Sequence, residues 1–339
     1  MSTKVAINGF GRIGRLFFRQ AIEEGLFEVV AINDLGDSEQ LAYLLLHDSV
    51  YRGFSGTVEA EADSLKVNGR SVRVFQEKDP AKLPWKALGV DIAVEATGVF
   101  NSYAKAKVHL KAGAKRVVLT APSKDEDGKE GRTVLMGVND EALKTCSISS
   151  NGSCTTNAVS PVARVLSENP GIEKAFLLTT HGYTATQNLV DGPIKGSQVR
   201  RGRAAAVNIV PSSTGAATTV ARAVKELEGK FDGVALRVPV PAGSIAVITF
   251  LAKRETTAEE LNEILEEASQ SPRWKGILKV TRDPVVSTDI IQEPYGAIVD
   301  AEFTRVVGGN LCSVFSWYDN EWGYAAMLIK HVKAVASLL

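Results

Sequence analysis

Cysteine is scarce in this chain of 339 residues: Cys146, Cys154 and Cys312 are the whole supply. So small and odd a number builds no disulfide framework, and the spacing suits no zinc site. The expectation is a reducing compartment and no bound metal. Histidine is nearly as rare, with only His47, His109, His181 and His331. Net charge is missing altogether, 39 Lys and Arg standing against 39 Asp and Glu. That leaves no bulk attraction to nucleic acid or to a membrane surface as the main partner. No apolar run reaches the length of a membrane span. A basic–apolar–small signal pattern is also absent, because Met1-Ser2-Thr3-Lys4 leads straight into an apolar strand. These absences together give a cytoplasmic expectation. No internal repeat or low-complexity linker interrupts the chain.

What is present describes a globular protein, with 45% hydrophobic and 23% charged residues. The length exceeds a usual single core, so two domains are expected. The first half opens with a strand, Lys4-Val5-Ala6-Ile7-Asn8, followed at once by Gly9-Phe10-Gly11-Arg12-Ile13-Gly14. A helix with apolar positions at Ile13, Leu16, Phe17 and Ile22 leads to Gly25. A second strand, Phe27 to Asn33, is closed by Asp34. This is the order of a dinucleotide fold. Glycines admit a pyrophosphate, the helix N-terminus holds its charge, and an acid about 20 residues on takes the ribose hydroxyls. An acid at Asp34 favours NAD, since a 2′-phosphate beside it is repelled.

Further strand–helix alternation predicts a doubly wound, mostly parallel sheet. A helix is expected over 38–47 and a hairpin about Asn68-Gly69. Strands are expected at 91–95 and 116–120, with a helix over 103–112. Asn8, Asp34, Thr97 and Thr120, at strand ends, should then face one cleft. After residue 153 the apolar runs lengthen, at 173–181, 231–240, 244–253 and 311–318, with helix-like runs at 214–227 and 258–268. This predicts an α+β domain with a mainly antiparallel sheet. The expected division is a Rossmann-type domain over 1–153, rejoined by a C-terminal helix over 320–339, and a second domain over 154–319. Residues 184–204 form a long basic irregular stretch with Lys195, Arg200, Arg201 and Arg203, of the kind that serves a site or an interface.

The chain turns on Ser150-Asn151-Gly152-Ser153-Cys154-Thr155-Thr156-Asn157, with a strand-like run before it and a helix-like run after. Ser153 is an N-cap, which places Cys154 in the first helical turn. There the macrodipole and free amides favour a thiolate, lowering a cysteine pKa from about 8.5 to about 3.5–7.5. Cys154 is therefore a candidate nucleophile. His181 ends the run 174–180 where the chain leaves the core, which suits a base that takes the thiol proton. His47, His109 and His331, in helix-like runs among surface-type residues, receive no role. Cys146 and Cys312 read as inert thiols inside strands. Thr214-Gly215 opens a helix after Pro211-Ser212-Ser213, and Arg237 ends a strand. With Ser153, Thr155, Thr184 and Arg201 they make one or two phosphate pockets.

Ser-x-x-Ser-Cys-Thr-Thr-Asn at 150–157, His-Gly-Tyr-Thr-Ala-Thr-Gln at 181–187, Pro-Ser-Ser-Thr-Gly-Ala-Ala at 211–217 and Trp-Tyr-Asp-Asn-Glu-Trp-Gly-Tyr at 317–324 resemble the glyceraldehyde-3-phosphate dehydrogenases. Asn-Gly-Phe-Gly-Arg-Ile-Gly-Arg at 8–15 does so too, and the likeness runs from end to end. It implies a cytosolic, homotetrameric, NAD-dependent phosphorylating aldehyde dehydrogenase of glycolysis and gluconeogenesis. It implies Cys154 as nucleophile and His181 as base. Gly9, Gly11, Arg12, Ile13, Gly14, Asp34, Lys78 and Thr120 would bind NAD, and Asn320 would hold the carboxamide. Ser153, Thr155, Thr214 and Gly215, with Arg201 assisting, match the pocket of the attacking phosphate. Thr184 and Arg237 match that of the substrate's own phosphate.

Some positions depart from the family pattern. Ala158 replaces a common second cysteine, Thr218 a common lysine, and the 193–203 loop is slightly longer. Pro241-Ala242-Gly243-Ser244 differs from the common form. Gly192 leaves NADP as a minor cofactor. The substrates implied are glyceraldehyde 3-phosphate and inorganic phosphate. Two rival readings are an erythrose-4-phosphate dehydrogenase that hydrolyses its thioester and a nonenzymatic RNA-binding role; the phosphate-pocket motif and the zero net charge weigh against them.

Overall fold

The computed structural model describes residues 2–339. The chain divides into two compact units. The first runs to Val134, takes in Asp140–Gly152 and closes with Leu328–Leu339. The second comprises Leu135–Asn139 and Ser153–Met327.

The first unit is built on a nine-stranded sheet. Across it run Val58–Ala60, Ser64–Val67, Arg70–Phe75, Glu28–Asn33, Lys4–Asn8, Ile92–Glu95, Arg116–Leu119, Ile148–Ser150 and Arg132–Thr133. The first three strands pair antiparallel through hairpins. Every later pair is parallel. Ala6 lies opposite Ala31 on one neighbour and Ala93 on the other. This patch of small residues makes room for Trp85, which is wholly buried against it with Leu83 and Val90. A buried tryptophan removes roughly 200 Å² from water, or about 5 kcal/mol of transfer free energy. The expected 103–112 helix is two short ones, Tyr103–Ala106 and Val108–Ala112, broken at Lys107. The second presents His109 and Ala112 to the interior.

The second unit carries a seven-stranded sheet in the order Val210–Ser213, Phe231–Val238, Ile172–Gly182, Ser244–Ala252, Leu311–Tyr318, Ala297–Val307 and Leu278–Thr281. It is mainly antiparallel, with two parallel pairs: Ile172–Gly182 beside Phe231–Val238, and Leu278–Thr281 beside Ala297–Val307. Strict burial alternation along Ser244–Ala252 shows one face turned to the core. Helices Cys154–Glu168, Ala216–Ala223 and Ala258–Gln270 pack on this sheet and on one another. Leu278–Thr281 and Ala297–Val307 were not foreseen from sequence. The expected 214–227 helix is cut to Ala216–Ala223 and a separate turn, Lys225–Leu227. Cys146, expected inside a strand, lies in the link between a helical turn and Ile148–Ser150; it is still buried. Among the described residues no helix is long and apolar enough to cross a membrane.

Candidate active site

In the first unit the glycine turn is shaped by contact. A Cβ on Gly14 would stand 2.1 Å from the Gly9 carbonyl oxygen, so the Arg12–Glu24 helix can approach the first strand only with glycine there. Gly11 is the N-cap and offers no side-chain acceptor to the first turn, the end of a helix where an anion is favoured. A cavity of about 560 Å³ opens beside this turn, lined by Asn8, Gly9, Gly11, Asp34, Lys78 and Thr97 among others. Exposed Leu35 and Val99 supply apolar walls. Asp34 accepts from Phe10 N at 2.7 Å and from Gly36 N at 3.0 Å, so its carboxylate is pinned at the cavity edge. Thr120 lines a separate small recess with Gly98, Phe100 and Asn101. The Arg12 side chain turns away to Asp48, 2.5 Å off, and over the Tyr51 ring. A helix N-terminus behind a glycine turn, a fixed acid and apolar walls together fit a dinucleotide.

Beneath this cavity lies a buried polar network that sequence reasoning missed. Glu95 Oε2 accepts from Asn8 Nδ2 at 2.6 Å and from His109 Nε2 at 3.0 Å. Its Oε1 accepts from Thr97 N at 2.8 Å and from the Thr97 hydroxyl. The Trp85 indole N–H can only donate, and it donates to His109 Nδ1 at 3.1 Å. His109 therefore carries its proton on Nε2. Asn33 extends the network by donating to Asn8 Oδ1 at 2.6 Å. His331 is likewise fully buried, with Ser149 Oγ 2.7 Å from Nε2. The expectation that both histidines sit on surface helices is overturned: each helix turns its histidine inward.

The loop after Ile148–Ser150 turns at Gly152, the last residue of that segment of the first unit, whose φ is +63°, and the second unit resumes at Ser153. Ser153 then caps the Cys154–Glu168 helix in a capping box with Thr156: Ser153 Oγ accepts from Thr156 N at 3.1 Å, and Thr156 Oγ1 accepts from Ser153 N at 3.2 Å. Cys154 is the first helical residue. Its Sγ is 3.3 Å from His181 Nε2.

Sheet order delivers the surrounding groups. His181 and Arg237 are direct partners on adjacent parallel strands, and Ser244 pairs with Tyr318 two strands along. The Tyr318 ring meets the His181 ring edge-on at 5.9 Å. Its hydroxyl lies 2.8 Å from both Thr155 and Thr179 Oγ1, so the Thr155 hydroxyl is held in the core. Ser244 was also missed. Its Oγ accepts from Gly182 N at 3.1 Å and donates to Asn320 Oδ1 at 2.8 Å, tying the histidine loop to Asn320. Its only sequence mark is its place after a glycine, at the start of a strand.

Electrostatics at the pair differ from the sequence expectation. Burial pushes the Cys154 thiol up, against the pull of Arg237, of the Thr155 amide and hydroxyl and of the Cys154 amide. Burial, then the Arg237 charge, push His181 down to about 3. Burial thus opposes the helix terminus at the thiol.

Arg237 and Arg201 have no carboxylate partner among the described residues, and the Nε of each is buried without a hydrogen bond. Arg201 Nη1 reaches Thr186 Oγ1 at 3.2 Å, and Thr184 Oγ1 lies 2.9 Å from the same hydroxyl. Thr214 Oγ1 accepts from Ala216 N, and Gly215 is the N-cap of Ala216–Ala223.

A dinucleotide-type sheet with its phosphate-binding turn, joined in one chain to a cysteine at a helix N-terminus beside an imidazole, defines an NAD-dependent oxidoreductase acting on an aldehyde. Family comparison agrees. Residues 3–103 match the NAD binding domain of glyceraldehyde 3-phosphate dehydrogenase, and residues 153–320 match its C-terminal domain. The chain is 51% identical to a glyceraldehyde-3-phosphate dehydrogenase of Thermotoga maritima, covering 96% of this chain and 97% of the relative. It is 45% identical to that of Clostridium pasteurianum, over 99% of each. It is 47% identical to glyceraldehyde-3-phosphate dehydrogenase 1 of Streptomyces avermitilis, over 97% of each. The chain belongs to the glyceraldehyde-3-phosphate dehydrogenase family.

Proposed function

We propose that this chain carries out the NAD-dependent oxidative phosphorylation of D-glyceraldehyde 3-phosphate to 1,3-bisphosphoglycerate, in glycolysis and gluconeogenesis, through a thioester on Cys154. The observation that carries the mechanism is the 3.3 Å approach of Cys154 Sγ to His181 Nε2 at a helix N-terminus. As Sγ adds to the aldehyde carbon, the proton the thiol gives up is held on His181 Nε2. The developing oxyanion is held by the Cys154 amide, one of the unpaired donors of the first turn, and by His181. When bound, NAD supplies an acceptor for the hydride leaving the aldehyde carbon. His181 returns its proton to the oxyanion to make the hydroxyl, takes it back as the hydride departs, and the acyl group stays on Sγ as a thioester. Inorganic phosphate then attacks the acyl carbon, the C–S bond breaks, and the thiol regains its proton from His181.

Gly9, Gly11, Gly14 and the amides of Arg12 and Ile13 hold the pyrophosphate. Asp34 takes the adenosine ribose, Lys78 and Thr120 add contacts, and Asn320, oriented by Ser244, holds the carboxamide. Arg237 and Thr184 take the substrate's phosphate. Ser153, Thr155, Thr214 and Gly215, with Arg201, take the attacking phosphate. In this reading residues 1–153 with the 320–339 helix form the NAD-binding domain and 154–319 the catalytic domain of a cytoplasmic homotetramer. The test is NADH formation from glyceraldehyde 3-phosphate with and without inorganic phosphate. The reading expects sustained turnover only with phosphate. Equal rates in both arms would favour hydrolytic release, as in an erythrose-4-phosphate dehydrogenase.

A further inference from the structure

The last helix, Trp322–Ala336, turns His331 into the interior, where none of its side chain is exposed. The proposed chemistry gives this ring no task. Its Nδ1 lies 3.1 Å from Asn151 Oδ1, which can only accept, so His331 donates to Asn151. Its Nε2 lies 2.7 Å from Ser149 Oγ, and the Val134 carbonyl also bonds to the ring. His331 thus grips the chain on both sides of Ser150, where Ile148–Ser150 ends. The sheet fixes the backbone of the same stretch. Asn151 N donates to the Leu119 carbonyl at 3.0 Å, Val134 N to that of Ser150 at 2.9 Å, and Ser150 Oγ to that of Ala121 at 2.7 Å. Between this strand end and the Ser153 cap stand only Asn151 and Gly152. Glycine has no side chain to hold, so the Asn151 amide is the one side-chain handle on the link that feeds the Cys154–Glu168 helix. His331, 180 residues further on, takes that handle. Burying an imidazole, a hydroxyl and an amide together costs desolvation that apolar packing of a helix on a sheet would not. Such a network, once its bonds are made, specifies one arrangement.

We infer that His331 is a positioning residue for Cys154: through Asn151 it sets the direction in which the chain enters the Ser153 cap, and so where the nucleophile stands. The inference rests on the proposed role of Cys154. It adds that the C-terminal helix contributes to catalysis through a side chain that meets neither substrate nor cofactor. A misplacement of about 1 Å at a reacting group costs up to about 10²-fold in rate. Loss of the His331–Asn151 bond therefore falls on kcat, and cofactor affinity is spared.

The test uses the full chain, with native helix content of each variant checked by circular dichroism. His331→Leu fills much of the ring's space and makes neither bond. It should lower kcat on glyceraldehyde 3-phosphate by about 10- to 10²-fold, while KM and the calorimetric dissociation constant of NAD move by less than about twofold. Alkylation of Cys154 by iodoacetamide, mapped by peptide mass spectrometry, should slow as well. His331→Asn keeps a donor close to where Nδ1 stands and should restore kcat to within a few-fold. Asn151→Ala removes the same bond from its other end and should reproduce the loss. The double variant, His331→Leu with Asn151→Ala, should lose no more than either alone. A folded His331→Leu or Asn151→Ala chain with unaltered kcat and alkylation rate overturns the inference and leaves Cys154 as the nucleophile. Equal losses in His331→Leu and His331→Asn also overturn it, because ring volume and not the bond would then matter. If alkylating Cys154 in the unaltered chain leaves turnover intact, the nucleophile assignment falls, and this inference with it.

Discussion

The two units each bury a histidine, and they treat it in opposite ways. His109 has one short partner for each nitrogen, an indole donor 3.1 Å from Nδ1 and a carboxylate acceptor 3.0 Å from Nε2, with Asn8 Nδ2 standing off Nε2 at 3.5 Å. His181 has a thiol on one side and, on the other, a nitrogen claimed by both an acceptor and a donor. Both rings are almost wholly buried. Burial therefore does not separate a structural imidazole from a reactive one; agreement among its neighbours does. A network whose donors and acceptors all match has one low-energy arrangement and rigidifies what it supports. A nitrogen with contradictory neighbours leaves one of them unmatched, which a supporting network does not tolerate.

Exchanging the roles by mutation gives the sharpest contrast. His181→Asn should lower kcat by about 10²–10⁴-fold, the usual worth of a general base, with unfolding free energy changed by less than about 1 kcal/mol. His109→Asn should do the reverse, costing stability and sparing kcat, as steady-state kinetics and urea unfolding on the same preparations would show. Loss of kcat in both variants would erase the distinction. Next in size is Glu95→Gln. It places an amide where four donors converge, and should cost about 3 kcal/mol in urea unfolding, since removing one side of a buried charged network strands the other. NAD affinity, read by calorimetry, should fall with it, because Asn8 and Thr97 both line the cavity. An unchanged unfolding midpoint would mean the network is not closed.

Asp34→Ala should weaken NAD binding by roughly tenfold, about 1.4 kcal/mol, and narrow the preference for NAD over NADP. Part of the loss comes from the Phe10 amide that Asp34 holds. An unaltered cofactor ratio would remove Asp34 as the discriminator. The last contrast is that of pH on stability. Burial pushes His181 and His331 down to about 3, from an ordinary 6.5. Below pH 6.5 the unfolded chain takes up protons that the folded chain refuses. Stability is then present above that pH and falls as pH drops, by about 1.4 kcal/mol per unit for each histidine. Urea midpoints between pH 7 and 5 would show this slope, and His331→Gln should halve it. A flat profile would mean the two rings are protonated in the native state.

Much of this was legible in the sequence where chemistry is local. The glycine turn, the acid closing the second strand, the Asn68-Gly69 hairpin and the Ser153 cap each depend on a few neighbouring residues, and each pattern has a single physical use. His181 and Arg237 were legible as strand ends, and register does the rest by setting them side by side. The unread parts are long-range. Glu95 and His109 are 14 residues apart, and His109 meets Trp85 and Glu95 meets Asn8 only once the sheet has folded. Ser244 meets Asn320 across 76 residues. The burial that opposes a thiolate at Cys154 went unread for a similar reason. A helix terminus is visible in sequence, but the shell that desolvates the sulfur is assembled from distant strands.

The account stands on an acyl group held by one sulfur. The most direct measurement is to mix the NAD-loaded chain with glyceraldehyde 3-phosphate in the absence of phosphate, quench in acid and map the added mass by peptide mass spectrometry. The account predicts one glyceroyl 3-phosphate adduct per chain on the Cys154 peptide, released on adding phosphate and missing from Cys154→Ala. An adduct on another residue, or sustained NADH formation by Cys154→Ala, would contradict it.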